Sequence, residues 1–144
     1  MNVRFVKPED HEEWLRMRCA LWPEGSREEH ASELDDWLAA GNAVFVSPRE
    51  EGGLQGFVEV SIRNYAEGCE TNHVGYVEGW YVDEDRRKQG VGRTLIAAAE
   101  DWARAQGCTE MASDALLTNT ISHQAHERLG YIEQERIVCF KKML

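Results

Sequence analysis

The run Arg87-Lys88-Gln89-Gly90-Val91-Gly92 sets cations and two glycines directly ahead of an apolar segment, in a 144-residue chain whose formal net charge is -10. A turn of this kind at a helix start leaves several backbone N–H groups without an intrahelical acceptor, all pointing the same way. With the positive end of the helix dipole, they form a site for a phosphate-like anion. Gly90 and Gly92 remove side chains that would hold an anion off, while Arg86, Arg87, Lys88 and Arg93 add charge on the rim. Two other phosphate turns do not fit. No Gly-Lys-Ser/Thr follows, as a P-loop requires, and Leu95 stands where a dinucleotide fingerprint carries glycine or alanine. His123 and His126, three residues apart, lack further ligands nearby, so no metal is expected.

The elements that must position this turn are legible from periodicity. Residues 2–6 alternate as a short strand, and a helix then stacks Trp14, Met17 and Leu21 before Trp22-Pro23-Glu24-Gly25 stops it. Ser26 and Glu29 form a capping box ahead of a second helix bearing His30, Leu34, Trp37 and Leu38. Ala43–Val46 and Phe57–Arg63 read as a hairpin, and Val74–Val82 as a third long strand whose interior glycines suggest a bulge. After the turn, Val91, Leu95, Ala98 and Trp102 share a helical face that Gly107 ends. A strand over residues 110–115, a helix with a buried stripe of Ile121, Ala125 and Leu129, and a closing strand at Ile137–Phe140 complete the chain. The expected fold is α/β (α+β), a mixed, mostly antiparallel central sheet flanked by about four helices, in the order β-α-α-β-β-β-α-β-α-β(-β). The whole length, 1–144, is expected to be one domain.

Composition narrows the partners. Twenty-six acids against sixteen Lys and Arg disfavour nucleic acid and anionic lipid, and favour a cationic small molecule. No apolar run approaches the ~20 residues that span a bilayer, and the N-terminus lacks a signal-peptide pattern, so a cytoplasmic location is expected. Cys19, Cys69, Cys108 and Cys139 match neither a zinc spacing nor a disulfide framework and read as reduced thiols.

Arg-x-x-Gly-x-Gly resembles the GNAT superfamily of acyl-CoA-dependent N-acetyltransferases, in which it holds the pyrophosphate of coenzyme A. The element order, Glu78-Gly79 before the turn and the late Leu129-Gly130-Tyr131 agree with that likeness. Leu21-Trp22-Pro23, Ile62-Arg63-Asn64-Tyr65, Glu78-Gly79-Trp80-Tyr81-Val82, Met111-Ala112-Ser113-Asp114, Asn119-Thr120-Ile121-Ser122 and Glu135-Arg136-Ile137-Val138 are similar to aminoglycoside 6'-N-acetyltransferases.

The resemblance implies direct transfer from acetyl-CoA to the 6'-amino group of an aminoglycoside, conferring resistance. Trp80 and Val82 would pair with the pantetheine arm. Amides of Arg87, Lys88, Gln89, Gly90, Val91, Gly92 and Arg93 would hold the pyrophosphate, with Thr94 nearby and Asn119 and Ser122 on the cofactor-facing side of the last helix. Acetyl transfer needs a deprotonated amine, a stabilised oxyanion and a departing thiolate. Glu78 is the first candidate base, acting through water, and Asp114 the second; both positions also bind substrate amino groups in the resembling enzymes. His126 stands where many relatives carry a tyrosine that protonates the thiolate. Trp22 and Tyr65 match aromatic substrate walls, suited to aminosugar rings through stacking and cation–π attraction. Late strands often join family members into homodimers. Alternative readings are a GNAT acting on a polyamine, metabolite amine or peptide amine, or a non-catalytic acyl-CoA-binding module.

Overall fold

The computed structural model describes residues 2–144. Five strands, β1 (Arg4–Phe5), β2 (Ala43–Pro48), β3 (Leu54–Arg63), β4 (Val74–Val82) and β5 (Met111–Ser113), lie side by side in chain order. All neighbours are antiparallel except β4 and β5. That parallel pair requires a crossover, which α3 (Val91–Ala105) supplies; α1 (His11–Leu21), α2 (Arg27–Ala39) and α4 (Thr120–Arg128) complete the helices.

Alternation along the strands sorts two cores onto the two faces of the sheet. Ala43, Phe45, Val58, Val60 and Val77 pack against Val91, Leu95, Ile96 and Ala99 of α3. Val44, Val46, Leu54 and Phe57 face the other way, onto Trp14, Leu15 and Met17 of α1 and Leu34 of α2. The Ser26 side chain accepts a hydrogen bond from the Glu29 amide and caps α2 as its sequence predicts.

An ion-pair network ties the end of β4 to this frame. Buried Asp83 receives Arg16 of α1 (3.0 Å) and Arg49 of the β2–β3 turn (2.8 Å), and its N–H donates to the Gln55 carbonyl (2.8 Å). Burial works against its charge, but the two guanidinium groups hold the Asp83 carboxyl below the usual carboxylate range. Arg49 also bridges to Asp85 (2.8 Å), so the residues leading into the 87–92 turn are braced from two elements.

Two expectations are overturned. The stripe of Ile121, Ala125 and Leu129 enters the core only at its end: Leu129 packs against the α3 side of the sheet, but no residue of α4 is fully buried, and Ile121 is 73% exposed. The strand expected at Ile137–Phe140 does not form; residues 131–144 carry neither helix nor strand, and Phe140 is 92% exposed. A strand needs a sheet edge to take its backbone groups, and this segment pairs with none in its own chain. The tail instead lies along the loop after β3, where a Cβ on Gly68 would fall 2.5 Å from Gln134 Cγ.

Candidate active site

The site begins at an irregularity in β4. Glu59 of β3 faces Gly79, but the next residue, Val60, faces Val77, so Glu78 is the extra residue of a bulge. Past this point β4 loses its other neighbour, since β5 pairs only with Gly75–Val77. The two parallel strands therefore fork, and Glu78–Val82 presents an edge that no strand covers. Antiparallel pairs alternate between bonded and non-bonded positions. With Asp83 bonded to Gln55 (2.8 Å), the main-chain groups of Tyr81 and Gly79 turn toward β3, and those of Val82 and Trp80 face the open edge. The Val82 carbonyl is taken by Arg87 Nε (2.9 Å).

The edge runs into the turn at 87–92. Lys88 has φ +62° and Gly90 φ +87°, two left-handed positions separated by one residue, which curl the chain ahead of α3. A non-glycine residue in this region is uncommon and marks a conformation held by its surroundings. Among the described residues, no main-chain acceptor engages the amides from Lys88 to Arg93, whereas Thr94 N–H already bonds to Gly90 (3.1 Å). The rim cations divide. Arg86 turns away to Glu51 (2.5 Å) and Gln55 (3.2 Å), and Arg87 folds back onto Val82. The Arg86 side chain is thus spent on the fold, which corrects the expectation that all four cations line the rim; Arg87, Lys88 and Arg93 are exposed on it, while the Arg87 amide, expected to hold the anion, donates instead to the Glu84 carbonyl (3.4 Å). Gly92 lies close under Trp80: a Cβ there would stand 3.1 Å from Trp80 Cζ2, so the indole would have to give by a few tenths of an ångström. The buried Trp80 Nε1, without a hydrogen-bond partner, sits in the same contact.

On one side of the fork, Glu78 and Asp114 belong to one connected cluster. Glu78 accepts from Ser61 Oγ (2.6 Å) and from Arg63 Nε (2.7 Å) and Nη2 (2.5 Å). The Arg63 guanidinium also lies 3.6 Å from the Tyr76 ring centroid, and Tyr76 O–H donates to Asp114 Oδ2 (2.5 Å). Burial, then the bond to Asp114, raises the Tyr76 phenol above its ordinary value and keeps it a donor. Ser61, Arg63 and Tyr76 were not singled out individually as site residues from sequence. The signal was present: strand alternation puts Ser61 and Arg63 on the face opposite Val60 and Ile62.

His126 of α4 forms a second cluster with Ser113 of β5. Its Nδ1 lies 2.7 Å from the Ser122 carbonyl, an acceptor only, so Nδ1 carries a hydrogen. That fixes Nε2 against Ser113 Oγ (2.8 Å), accepting from the hydroxyl when neutral and donating to it when charged. Edge contacts with Trp80 (5.3 Å) and Tyr131 (5.8 Å) hold the ring, and Tyr131 is anchored on Glu100 (2.8 Å). Ser113 was missed because a serine in a short strand has no signature until the helix arrives beside it. Asn119 caps α4 by accepting from the Ser122 amide (3.1 Å), and Ser122 is occupied with His126. Their side chains are engaged locally. His123 Nε2 bonds to the Leu116 carbonyl (2.9 Å), and among the described residues no three His, Cys, Asp or Glu side chains gather as metal ligands.

Trp22 reaches the bulge directly: a Cβ on Gly79 would lie 2.7 Å from its Cη2. Tyr65 is 64% exposed and bonds to Glu67 (3.2 Å) in the loop after β3.

The profile of the Acetyltransferase (GNAT) family matches residues 11–131. An aminoglycoside N(6')-acetyltransferase type 1 from Klebsiella aerogenes is 47% identical, over 99% of this chain and 96% of its own. The solved structure of AAC(6')-Iy with the bisubstrate analog CoA-S-monomethyl-acetylneamine superposes with TM-score 0.93 at 35% identity, covering 99% of this chain and 98% of that one. Apo aminoglycoside 6'-N-acetyltransferase AAC(6')-IG from Acinetobacter haemolyticus gives TM-score 0.94 at 38% identity, covering 100% and 99%.

Proposed function

Because this chain belongs to the GNAT family of acetyltransferases, we propose that it transfers the acetyl group of acetyl-CoA to the 6'-amino group of an aminoglycoside, both substrates being bound together. One observation carries the reading: an unpaired strand edge at Trp80 and Val82 runs continuously into the unpaired amides of Lys88–Arg93, and begins at a bulge beside Glu78. An extended, amide-bearing arm ending in a diphosphate fits that sequence of donors and acceptors.

Acetyl-CoA supplies an activated acetyl thioester. Trp80 offers its N–H and carbonyl, and Val82 its N–H, to the amides of the arm. The amides from Lys88 to Arg93 hold the diphosphate, with the Lys88 and Arg93 charges and Thr94 beside it; Arg87 contributes through the turn. Asn119 and Ser122 border the arm from α4. Ser61 and Arg63 take up the Glu78 carboxylate, so, in reverse of the order expected from the sequence, Glu78 holds and orients an ammonium group of the acceptor and the base is Asp114. Asp114, exposed and bonded to Tyr76, passes the reacting amine's proton to solvent through water. Ser113 and His126 hold a proton at the fork, where the departing sulfur needs one. Trp22 and Tyr65 wall the acceptor, and the acidic chain favours a polycationic aminosugar over nucleic acid or anionic lipid.

All 144 residues act as one catalytic unit in the cytoplasm, where acetylation removes an ammonium charge from the drug and confers resistance. No helix among the described residues is long and apolar enough to cross a membrane. The tail, with Ile137, Val138 and Phe140 exposed, joins two copies as a homodimer by giving its apolar run the sheet edge it lacks.

The test is thiol release from acetyl-CoA across kanamycin, tobramycin and polyamines, with mass analysis of the acetylated nitrogen. Turnover confined to aminoglycosides at the 6' nitrogen is expected. Turnover of polyamines alone, or coenzyme A binding without thiol release, refutes the reading. Sedimentation at micromolar protein reads the dimer, and a monomer that persists there refutes it.

A further inference from the structure

Directly behind the bulge lies a charged pair that the chemistry above leaves unused. Glu59, only 1% exposed, stands opposite Gly79 in the middle of the sheet. Its Oε1 accepts from Trp14 Nε1 (3.0 Å) and lies 3.3 Å from Arg18 Nε, while its Oε2 lies 3.6 Å from the point a Cβ on Gly79 would occupy. Arg18, itself 6% exposed, donates through Nη2 to Glu33 (2.8 Å). Its Nε and Nη1 are buried without a hydrogen-bond partner, and its guanidinium lies 4.9 Å from the Trp22 ring centroid. The Trp22 ring also stacks with His30 (6.2 Å, 21°), whose Nε2 donates to the Trp22 carbonyl (2.9 Å).

This arrangement is a poor way to stabilise a fold. Taking both charges out of water costs more than an apolar pair of the same size would, and two Arg18 nitrogens, Nε and Nη1, are left without a hydrogen-bond partner. What the pair does achieve is geometric. It places a cation against Trp22, whose ring touches the Gly79 side of the bulge, and gives that cation a buried counter-charge. Cation–π attraction is strongest where water is excluded.

We propose that Glu59 and Arg18 are positioning residues that hold Trp22 over Gly79 and set how tightly the acceptor subsite takes a cation. The inference rests on Trp22 being a wall of that subsite, as read above. Ionised Glu59 balances Arg18 and leaves the field of Glu78 and Asp114 to the acceptor. Protonated Glu59 leaves the Arg18 charge unbalanced behind Trp22, and that net positive charge weakens the binding of a cation in the subsite. Burial pushes the Glu59 carboxyl up to about 7, with Arg18 and Trp14 opposing, so both forms are reached in ordinary buffers. The charged and titratable groups facing it are Arg18 on α1, Glu33 on α2 and Glu78 on β4; His11 edges Trp14 (5.6 Å), and His30 stacks on Trp22.

The experiment pairs two measurements. In the unmodified protein, the indole N–H resonances of Trp14 and Trp22 are followed by NMR from pH 5 to 9; they are expected to shift together, through one transition near 7. In Glu59→Gln, which leaves both histidines in place, that shared transition is expected to vanish. The acceptor KM at pH 8 should then rise about tenfold, the scale of one charge removed at this range, with kcat and the acetyl-CoA KM within twofold. Arg18→Lys, which keeps the charge without the planar stack, should fall between. Indoles that titrate separately or not at all overturn the proposal, as does a Glu59→Gln variant that raises both KM values alike. Absence of turnover with every aminoglycoside overturns the acceptor reading instead, and the coupled indole titration then judges the network alone.

Discussion

Replacing Gly79 by alanine tests the bulge at its tightest contact. The added Cβ would stand 2.7 Å from Trp22 Cη2, 3.1 Å from Cζ2 and 3.6 Å from Glu59 Oε2. Carbon atoms rest at about 3.5–4.0 Å, so the rigid indole must retreat by roughly 1 Å or the bulge must open. Trp22 is backed by Arg18 and His30, which leaves little room to yield. Overpacking of this size costs about 1–3 kcal/mol of stability, and a misplacement of about 1 Å in a reacting site costs on the order of 10²-fold in rate. The assay combines thermal unfolding with kcat/KM for a 6'-amino aminoglycoside and calorimetric affinity for coenzyme A. We expect a lower Tm, kcat/KM reduced about 10²-fold, and coenzyme A affinity within a factor of about three, because the turn at 87–92 is braced separately through Asp83. Unchanged activity would refute the close packing of Trp22 on the bulge. A parallel loss of coenzyme A affinity would refute the separation of the two subsites.

Asp83→Asn removes the counter-charge of Arg16 and Arg49 and should cost about 2–4 kcal/mol in denaturant unfolding at pH 7; since the Asp83 carboxyl is held low in the fold, its stabilisation is present above its unfolded pKa of 3.8, and the gap to the variant should close as pH falls below that value. For Glu59 the sign reverses: its stabilising preference for the protonated form is complete below 4.5 and lost as pH rises through about 7, so relative to Glu59→Gln the unmodified protein should lose stability across that window in paired urea titrations. Gly92→Ala, meeting Trp80 at 3.1 Å, should weaken coenzyme A binding by about tenfold in calorimetry while leaving acceptor binding intact. His126→Ala and Ser113→Ala should each lower kcat by about 10–10² at unchanged KM and alter its pH profile alike, whereas effects that add independently would show that the two do not act as one unit.

The strand at Val74–Val82, the three helices that pack on the sheet and the turn at 87–92 were legible in the sequence because each is specified locally, by alternation, by helical spacing, by a capping serine and by paired glycines. The same local signals misled at the C-terminus. Ile121 shares the helical spacing of Ala125 and Leu129, and Ile137–Phe140 has strand composition, yet neither pattern says how far a core or a sheet edge is there to receive it: Leu129 reaches the core and Ile121 does not. Glu78 and Asp114 were found as acids on successive strands, but their coupling through Arg63 and Tyr76 depends on register, as does the Glu59–Gly79 pairing that sets a buried carboxylate behind the bulge. By itself, then, the sequence determined the anion-binding turn, the elements and the acids, since these follow from interactions within a few residues. Only the tertiary structure decided that Arg86 is diverted to the fold, that Ser113 meets His126, and that Trp22 rests on Gly79, because each contact joins residues that only the packing of separate elements brings together.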